Sequence, residues 1–274
     1  MHALVVAIGI VLVVIGATAV TLWGEWWSLP LAADWGGIDA MMTVTTVVTG
    51  WVFIAINLVL AFIIYRFSSH RRSRGSHEHD NPRVEWLLIG LTAAGITVLL
   101  APGLIVYAQV ISEPEDPLVV DVVAEQWQWN YRFAGESGEM AEPRHDRFGQ
   151  GNPFGVDPED PAVMDDRIVR RGPLVLPKGR PVLLQLRSRD VIHIYFVPEF
   201  RVKLAAVPGT VNEMWFRPTE TGSFDAACTE FCGVAHHGMV GPVQVVEEDE
   251  FEEWLLEQQL LAEVMGLIDE PEEG

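Results

Sequence analysis

The chain has 274 residues, 49% of them hydrophobic, with a positive mean hydropathy of +0.21, yet 20% are charged and the formal net charge is −20. Such a mixture excludes an evenly patterned soluble domain and points to segregation, with apolar stretches in one part and acid in another. The length suits one good-sized domain plus a membrane anchor, or two small domains, and no nucleic-acid partner is expected of so acidic a chain.

Three apolar runs occupy the N-terminal part: Leu4–Trp23, Met42–Tyr65 and Trp86–Val110. None contains a charged residue, and each reaches the roughly 20 residues that a helix needs to cross the hydrocarbon core of a bilayer. Between the second and third runs, Arg66 to Arg83 includes Arg71, Arg72 and Arg74, whereas residues 24–40 carry only Glu25, Asp34 and Asp39. The positive-inside rule therefore puts the arginine loop in the cytoplasm and everything after about residue 112 on the external face. The expected location is the plasma membrane, crossed more than once. Residues 1–24 read as a signal peptide or a signal anchor. Residues 25–40 read as an external linker containing a rough small-residue cleavage match at Leu31-Ala32-Ala33, and residues 41–111 as a transmembrane helical hairpin.

The external part holds most of the acid. Of 38 Asp and Glu residues, six precede residue 112, and of 18 Lys and Arg residues, five do. Beyond that point 32 acids face 13 bases. This charge suits either a face that steers a basic redox partner or an even spread adapted to high salt, where steering is screened.

Short β-rich runs follow at Leu118–Ala124, Gln126–Phe133, Leu174–Leu176, Pro181–Arg187, Val191–Val197, Thr210–Phe216, Ser223–Ala227 and Val240–Val246. Turn residues such as Pro177-Lys178-Gly179 and Pro208-Gly209 separate them, which predicts an all-β sandwich or barrel over residues 112–248. Residues 134–167 are rich in Gly, Pro, Asp and Glu with few apolar anchors, and read as a solvated acidic insertion. From residue 249 an apolar stripe of Phe251, Trp254, Leu255, Gln258, Leu261 and Val264 predicts one short terminal helix packed on the domain or on a neighbouring subunit. A disordered acidic tail follows at 269–274.

Two cysteines are present, Cys228 and Cys232, in the run Cys228-Thr-Glu230-Phe-Cys232-Gly-Val-Ala-His236-His237-Gly-Met239. On an oxidising face a disulfide is one reading, and a zinc site with His236 and a distant histidine is another. Met239 favours copper, because a thioether adds little for zinc while two Cys, His and Met form a soft donor set. A mononuclear blue copper site uses one Cys, so the second thiolate calls for a second copper. His193, in Asp190-Val-Ile-His193-Ile-Tyr-Phe-Val197-Pro198, lies on a predicted strand from which a sandwich can present it to the later loop.

These segments, with Lys203, Val207-Pro208-Gly209 and the aromatic run Gln126-Trp127-Gln128-Trp129-Asn130-Tyr131, resemble cytochrome c oxidase subunit II, over most of residues 41–248. The resemblance implies a cupredoxin-like sandwich on a helical hairpin, carrying the binuclear CuA centre. It implies that Cys228 and Cys232 bridge two coppers. His193 and Met239 would complete one of them, and His236 with the Glu230 backbone carbonyl the other. It also implies that the Glu230 carboxylate reaches a magnesium or manganese ion at the boundary with subunit I, and that Trp127 admits the electron. Glu85, heading the third run, resembles a family glutamate at the mouth of a proton path, but the residues expected after it are replaced by Trp86-Leu-Leu-Ile-Gly. Ala205 and Thr210 also depart from the family, which usually has Asp and Arg there. His237 is one step off the ligand register, and His70, His77 and His79 are expected to be solvated.

The function so implied is that of subunit II of a proton-pumping terminal oxidase, cytochrome-c oxidase. Electrons would come from a cytochrome c or small blue copper protein, and haems in subunit I would reduce oxygen to water. A quinol oxidase subunit II lacks the copper ligands present here. A membrane-tethered copper chaperone would need neither Trp127 nor Glu230.

Overall fold

A computed structural model describes residues 2–24, 29–68, 81–149 and 151–268. The arginine loop, His70, His77, His79, Glu25 and the acidic tail lie outside the described residues. The chain divides into a helical unit, residues 1–28 and 37–109, and a β unit, residues 29–36 and 110–274.

In the helical unit the three apolar runs form α1 (His2–Trp23), α2 (Gly36–Arg66) and α3 (Pro82–Ile111). All three are long and apolar enough to cross a membrane. Several of their polar side chains bond to their own helix. The hydroxyls of Thr43, Thr49 and Thr97 donate to carbonyls four residues back at 2.7–2.9 Å, and Asn57 Nδ2 donates to Phe53 O at 2.8 Å. A polar side chain bonded to its own helix leaves no unpaired group in lipid. Pro82 opens α3, where its missing N–H costs nothing.

The β unit is a two-sheet sandwich. One sheet has six strands in the order β11-β3-β2-β1-β5-β8, the other five in the order β4-β10-β9-β6-β7. The strands are β1 (Leu118–Glu125), β2 (Gln128–Phe133), β3 (Arg167–Arg170), β4 (Leu174–Pro177), β5 (Val182–Ser188), β6 (His193–Val197), β7 (Val202–Ala206), β8 (Asn212–Phe216), β9 (Gly222–Cys228), β10 (Val240–Val246) and β11 (Gln259–Leu260). β1 runs antiparallel to β2 but parallel to β5, and β10 antiparallel to β9 but parallel to β4. The cupredoxin-like β domain after N-terminal apolar helices is thus present, with β3, β7 and β11 added to the predicted strands.

Residues 134–167 are not a solvated insertion. Ala141, Phe154, Val156 and Val163 are fully buried and share a core cluster with Val123, Ile168 and Leu261. The segment also caps a buried charge network. Arg132 donates from Nε and Nη2 to Asp121 Oδ2 at 3.0 and 2.8 Å, and from Nη1 to Asp166 Oδ2 at 2.6 Å and Ala141 O at 2.9 Å. Arg187 Nε donates to Asp121 Oδ1 at 2.8 Å. The guanidiniums of Arg132 and Arg187 lie over the rings of Phe154 and Phe148 at 5.8 and 5.4 Å, a favourable cation–π placement.

Two further expectations change. The C-terminal stripe is two helices, α4 (Glu248–Leu256) and α5 (Leu261–Val264), separated by β11. The break arises because Gln259 and Leu260 pair with β3 while Arg167 Nη1 takes the carbonyls of Leu256 and Gln258 at 3.0 and 2.8 Å. The stripe does pack on the domain, with Phe251 and Trp254 against Phe133. Residues 29–35 are also no free linker. Ala32 N donates to Glu199 O, and Thr219 N to Ala32 O, both at 2.9 Å. Ala33 bridges Pro218, and the Trp35 ring sits 4.6 Å from that of Trp215.

Candidate metal centre

Three adjacent strands of the five-stranded sheet deliver the site at one end. β6 begins with His193, β9 ends with Cys228, and β10 begins just after Met239. Pairing of Tyr195 with Cys228 sets the register between β6 and β9. The loop 229–239 is closed at its base by Cys228 N donating to Met239 O at 3.0 Å. Within the loop a single 3-10 turn, His236–Gly238, carries the histidine.

Within that loop the two sulfurs lie 3.7 Å apart. Both cysteines are free and buried, and the separation far exceeds the ~2.05 Å of a disulfide. His193 Nδ1 is 3.9 Å from Cys228 Sγ, and the Glu230 carbonyl is 3.3 Å from the same sulfur. His236 Nδ1 is 3.5 Å and Met239 Sδ 3.8 Å from Cys232 Sγ. His193, Cys228 and Cys232 present donor atoms all within 4.8 Å of one another. His193 and Met239 are buried, His236 is half-buried, and the Glu230 side chain and His237 are exposed. Six donors expected from the loop and its upstream histidine are therefore gathered in one place.

Two residues that sequence reasoning gave no role brace this group. Asp190 Oδ1 lies 2.9 Å from His193 Nε2, which leaves Nδ1 to face the sulfurs. The other Asp190 oxygen accepts from Gln126 N at 2.7 Å, and the Gln126 side chain donates to Cys232 O at 2.7 Å. One carboxylate and one amide thus tie a donor on β6 to a donor in the loop. Burial raises the Asp190 pKa, but hydrogen bonds from His193 and the Val191 and Gln126 backbones outweigh it and the net shift is downward. The signal available was the placement of Asp190 three residues before His193, where a carboxylate can hold an imidazole tautomer.

The Cys232 thiol is pushed up to about 11, first by burial and then by the neighbouring Cys228 sulfur. Two close thiols with no cation beside them resist ionising together.

Trp127 lies against the loop from the other sheet. Its Nε1 donates to Cys232 O at 3.2 Å, while 36% of the residue stays exposed. Gly233, at φ 127°, is required here: a Cβ on it would lie 2.9 Å from Trp127 Cζ2. Gly241 likewise admits Trp129, where a Cβ would meet Cδ1 at 2.9 Å, and Trp129 packs edge-on against Tyr195 at 4.9 Å.

Ala205 lies within β7, paired with Ile194 of β6, and Thr210 lies in the turn after β7. Ala205 O accepts from Asn212 Nδ2 at 2.8 Å, and Thr210 closes the Val207–Thr210 turn through N and Oγ1, both 3.3 Å from Val207 O. Glu85 belongs to the helical unit, exposed in the first turn of α3, a position an acid favours through the helix dipole alone.

The sequence model of the family described as cytochrome c oxidase subunit II, periplasmic domain, matches residues 118–247. Among curated relatives, an alternative cytochrome c oxidase subunit 2 from Bradyrhizobium diazoefficiens is 38% identical over 261 residues, covering 95% of this chain and 94% of the relative. A cytochrome c oxidase subunit 2 from Cereibacter sphaeroides is 28% identical over 243 residues, covering 82% and 76%. Among solved structures, the periplasmic domain of cytochrome oxidase subunit II from Bradyrhizobium japonicum is similar at 29% identity, covering 52% of this chain and 94% of that one, with a TM-score of 0.39. Sequence likeness of this extent places the chain in the cytochrome c oxidase subunit 2 family.

Proposed function

We propose that this subunit holds a pair of copper ions between Cys228 and Cys232 and accepts electrons there from an external donor protein, for delivery to haem in subunit I. The observation that carries the reading is the pair of unbonded thiols 3.7 Å apart, flanked by two imidazoles, a thioether and a backbone carbonyl. The donor chemistry fits: soft sulfurs and neutral nitrogens suit copper, and two sulfurs at this spacing can each serve two metals. His193 and Met239 would hold one copper, His236 and the Glu230 carbonyl the other. His193 and the Glu230 carbonyl flank Cys228 while His236 and Met239 flank Cys232, so each proposed pair of outer donors spans both sulfurs. When bound, the copper pair supplies a one-electron carrier with its charge shared across two metals.

The remaining work belongs to the chain. Asp190 and Gln126 hold His193 and the Cys232 carbonyl in position, which limits how far the donors shift when charge changes. Trp127 offers an exposed ring edge to the partner and a hydrogen bond to the Cys232 carbonyl, so one side chain joins the surface to a ligand residue. A copper chaperone has no use for that link. Glu230 would reach a magnesium or manganese ion at the face toward subunit I. The completed enzyme would be a cytochrome-c oxidase in the plasma membrane that reduces oxygen to water and pumps protons, with Glu85 near a proton path.

Rapid mixing of the purified oxidase with a reduced donor tests the reading. Trp127→Gln should slow metal reduction by at least about tenfold, a rise of ~1.4 kcal/mol or more in the activation barrier, with copper content unchanged. An unaltered rate removes Trp127 from the path, and a chain without copper removes the reading itself.

A further inference from the structure

The β unit carries most of the acid, but one end of the helical unit is basic and open. Residues 4–12 of α1 and 58–65 of α2 line a common hollow of about 400 Å³, which places the N-terminus of α1 beside the C-terminus of α2. Ala7 and Ala61 are 7% and 5% exposed and form its floor, because small side chains let two helices approach closely. Its walls are rows at four-residue spacing, which stack on one face of a helix. Leu4, Ile8 and Leu12 make the α1 wall, Leu58 and Phe62 the α2 wall, and all five are 45–61% exposed. α3 leaves this end uncovered. It meets α2 toward the opposite end, where Gly37 and Gly103 lie close to Val106 and Met41, while residues 82–98 are exposed throughout.

The next step of the α2 row is a charge. Arg66, the last residue of α2, stands four residues beyond Phe62 and so continues the same wall. Its guanidinium lies over the Phe67 ring at 5.6 Å and has no carboxylate partner among the described residues. The positive end of the α1 dipole opens at the same mouth. The sequence continues past Arg66 with Arg71, Arg72 and Arg74, and this is the side that such a loop marks as cytoplasmic.

We infer that the groove between α1 and α2 holds one acyl chain of an anionic phospholipid of the cytoplasmic leaflet, with its phosphate at Arg66. From Leu4 to Leu12 the groove runs ~12 Å, and a protein helix of that length, about 10–12 Å across, would fill roughly 900 Å³ or more. That is over twice the space present. A single methylene chain is far narrower and meets apolar side chains along its whole length. The charge argues the same way. A basic pocket between transmembrane helices on the cytoplasmic side suits an anionic head group, and a guanidinium matches phosphate oxygens with paired N–H donors. Arginines in the loop also orient the chain in the membrane, but orientation needs only their presence there. The row Leu58, Phe62, Arg66 adds a cation directly beyond the apolar groove. The inference requires that α1 stays on the mature chain.

The test uses the purified oxidase complex, stripped of lipid in detergent and given phosphatidylglycerol or phosphatidylcholine. Native mass spectrometry then counts the lipid retained on the released subunit. One phosphatidylglycerol should stay per subunit, held at least about fivefold more tightly than phosphatidylcholine, the preference that one arginine at a lipid surface supplies. Raising ammonium acetate from about 20 to 500 mM should erase most of that preference. Arg66→Gln should level the two lipids, whereas Arg66→Lys, which keeps the charge, should retain the preference. Ile8→Trp enlarges a half-exposed wall residue and should lower retention of both lipids at least about tenfold, with the subunit still assembled and its copper spectrum unchanged. Equal retention of the two lipids, or an Ile8→Trp subunit that keeps its lipid, would overturn the site. Loss of another oxidase subunit on Ile8→Trp, with no lipid found on the parent, would mean that a protein helix lies there instead. A subunit mass short of residues 1–24 would remove the groove and the inference with it, while the copper site keeps its own test.

Discussion

Replacing Asp121 by Asn isolates the charge network that fastens residues 134–167 to the sandwich. Asp121 is 1% exposed and accepts from both Arg132 and Arg187. Arg132 has a second carboxylate in Asp166, whereas Arg187, itself 5% exposed, is paired with Asp121. The substitution keeps the shape and strands a buried guanidinium. Breaking one partner of a buried pair costs about 3–5 kcal/mol. With a urea slope of about 1–3 kcal/mol per molar, the unfolding midpoint should fall by at least about 1 M. Tryptophan fluorescence of the detergent-solubilised chain in urea reads this directly. Asp166→Asn provides the contrast. Burial, against the pull of Arg132, raises Asp166 from 3.8 to about 6, so the folded state prefers its protonated form. Its contribution is therefore fully present below about pH 4 and is lost as pH rises to about 6, a change of ~2–3 kcal/mol. Asp121 is displaced downward: burial is outweighed by Arg187 and Arg132, so its contribution holds above the ordinary carboxylate range and is lost only at lower pH. D166N should abolish the pH 4–6 slope and cost little at pH 7, whereas D121N should be severe there. Equal midpoints for D121N and the parent at pH 7 would refute the reasoning.

Other outcomes follow from the site. Because burial and Cys228 push the Cys232 thiol up to about 11, that thiol keeps its proton at neutral pH in the metal-free chain. Copper uptake must then release protons and tighten as pH rises, which calorimetry in two buffers of different ionisation enthalpy would register; proton-free uptake would count against thiolate ligation. Met239→Leu fills the same buried volume and should cost less than about 1.5 kcal/mol in stability while shifting the copper potential and spectrum; a spectrum identical to the parent would mean that Met239 is not a ligand. Gln126→Leu removes the 2.7 Å bond to the Cys232 carbonyl, which keeps its bond from Trp127, and should cost about 0.5–1.5 kcal/mol with a shifted potential, measured by urea titration and voltammetry; an unchanged potential would reduce Gln126 to a packing role.

Much of this was legible in the sequence because the signals were local. Three long uncharged runs can be little but membrane helices, and the Cys228–Met239 loop carries five of its donors within twelve residues of chain. What stayed hidden depended on distant partners. Phe154, Val156 and Val163 are single anchors among Gly, Pro and Asp, so no periodicity announced the core they form with Val123 and Leu261. Arg132 and Arg187 are charged residues on strands that turn inward because Asp121 on the neighbouring strand receives them. The short β11 exists only because β3 offers it an edge, and β3 itself is flanked by arginines that hide its two buried residues, Ile168 and Val169. Leu31-Ala32-Ala33 resembled a processing site because small residues suit one, but small residues also let a strap lie flat against Pro218 and Glu199. Asp190 and Gln126 were part of recognised segments, and their bracing role needed coordinates.

Electron paramagnetic resonance of the copper-loaded oxidase bears most directly on the central claim that Cys228 and Cys232 share two metals. The account predicts two coppers per subunit, with one unpaired electron whose hyperfine pattern shows equal coupling to both nuclei. A localised signal from one copper, or a full complement of zinc with no signal, would contradict it.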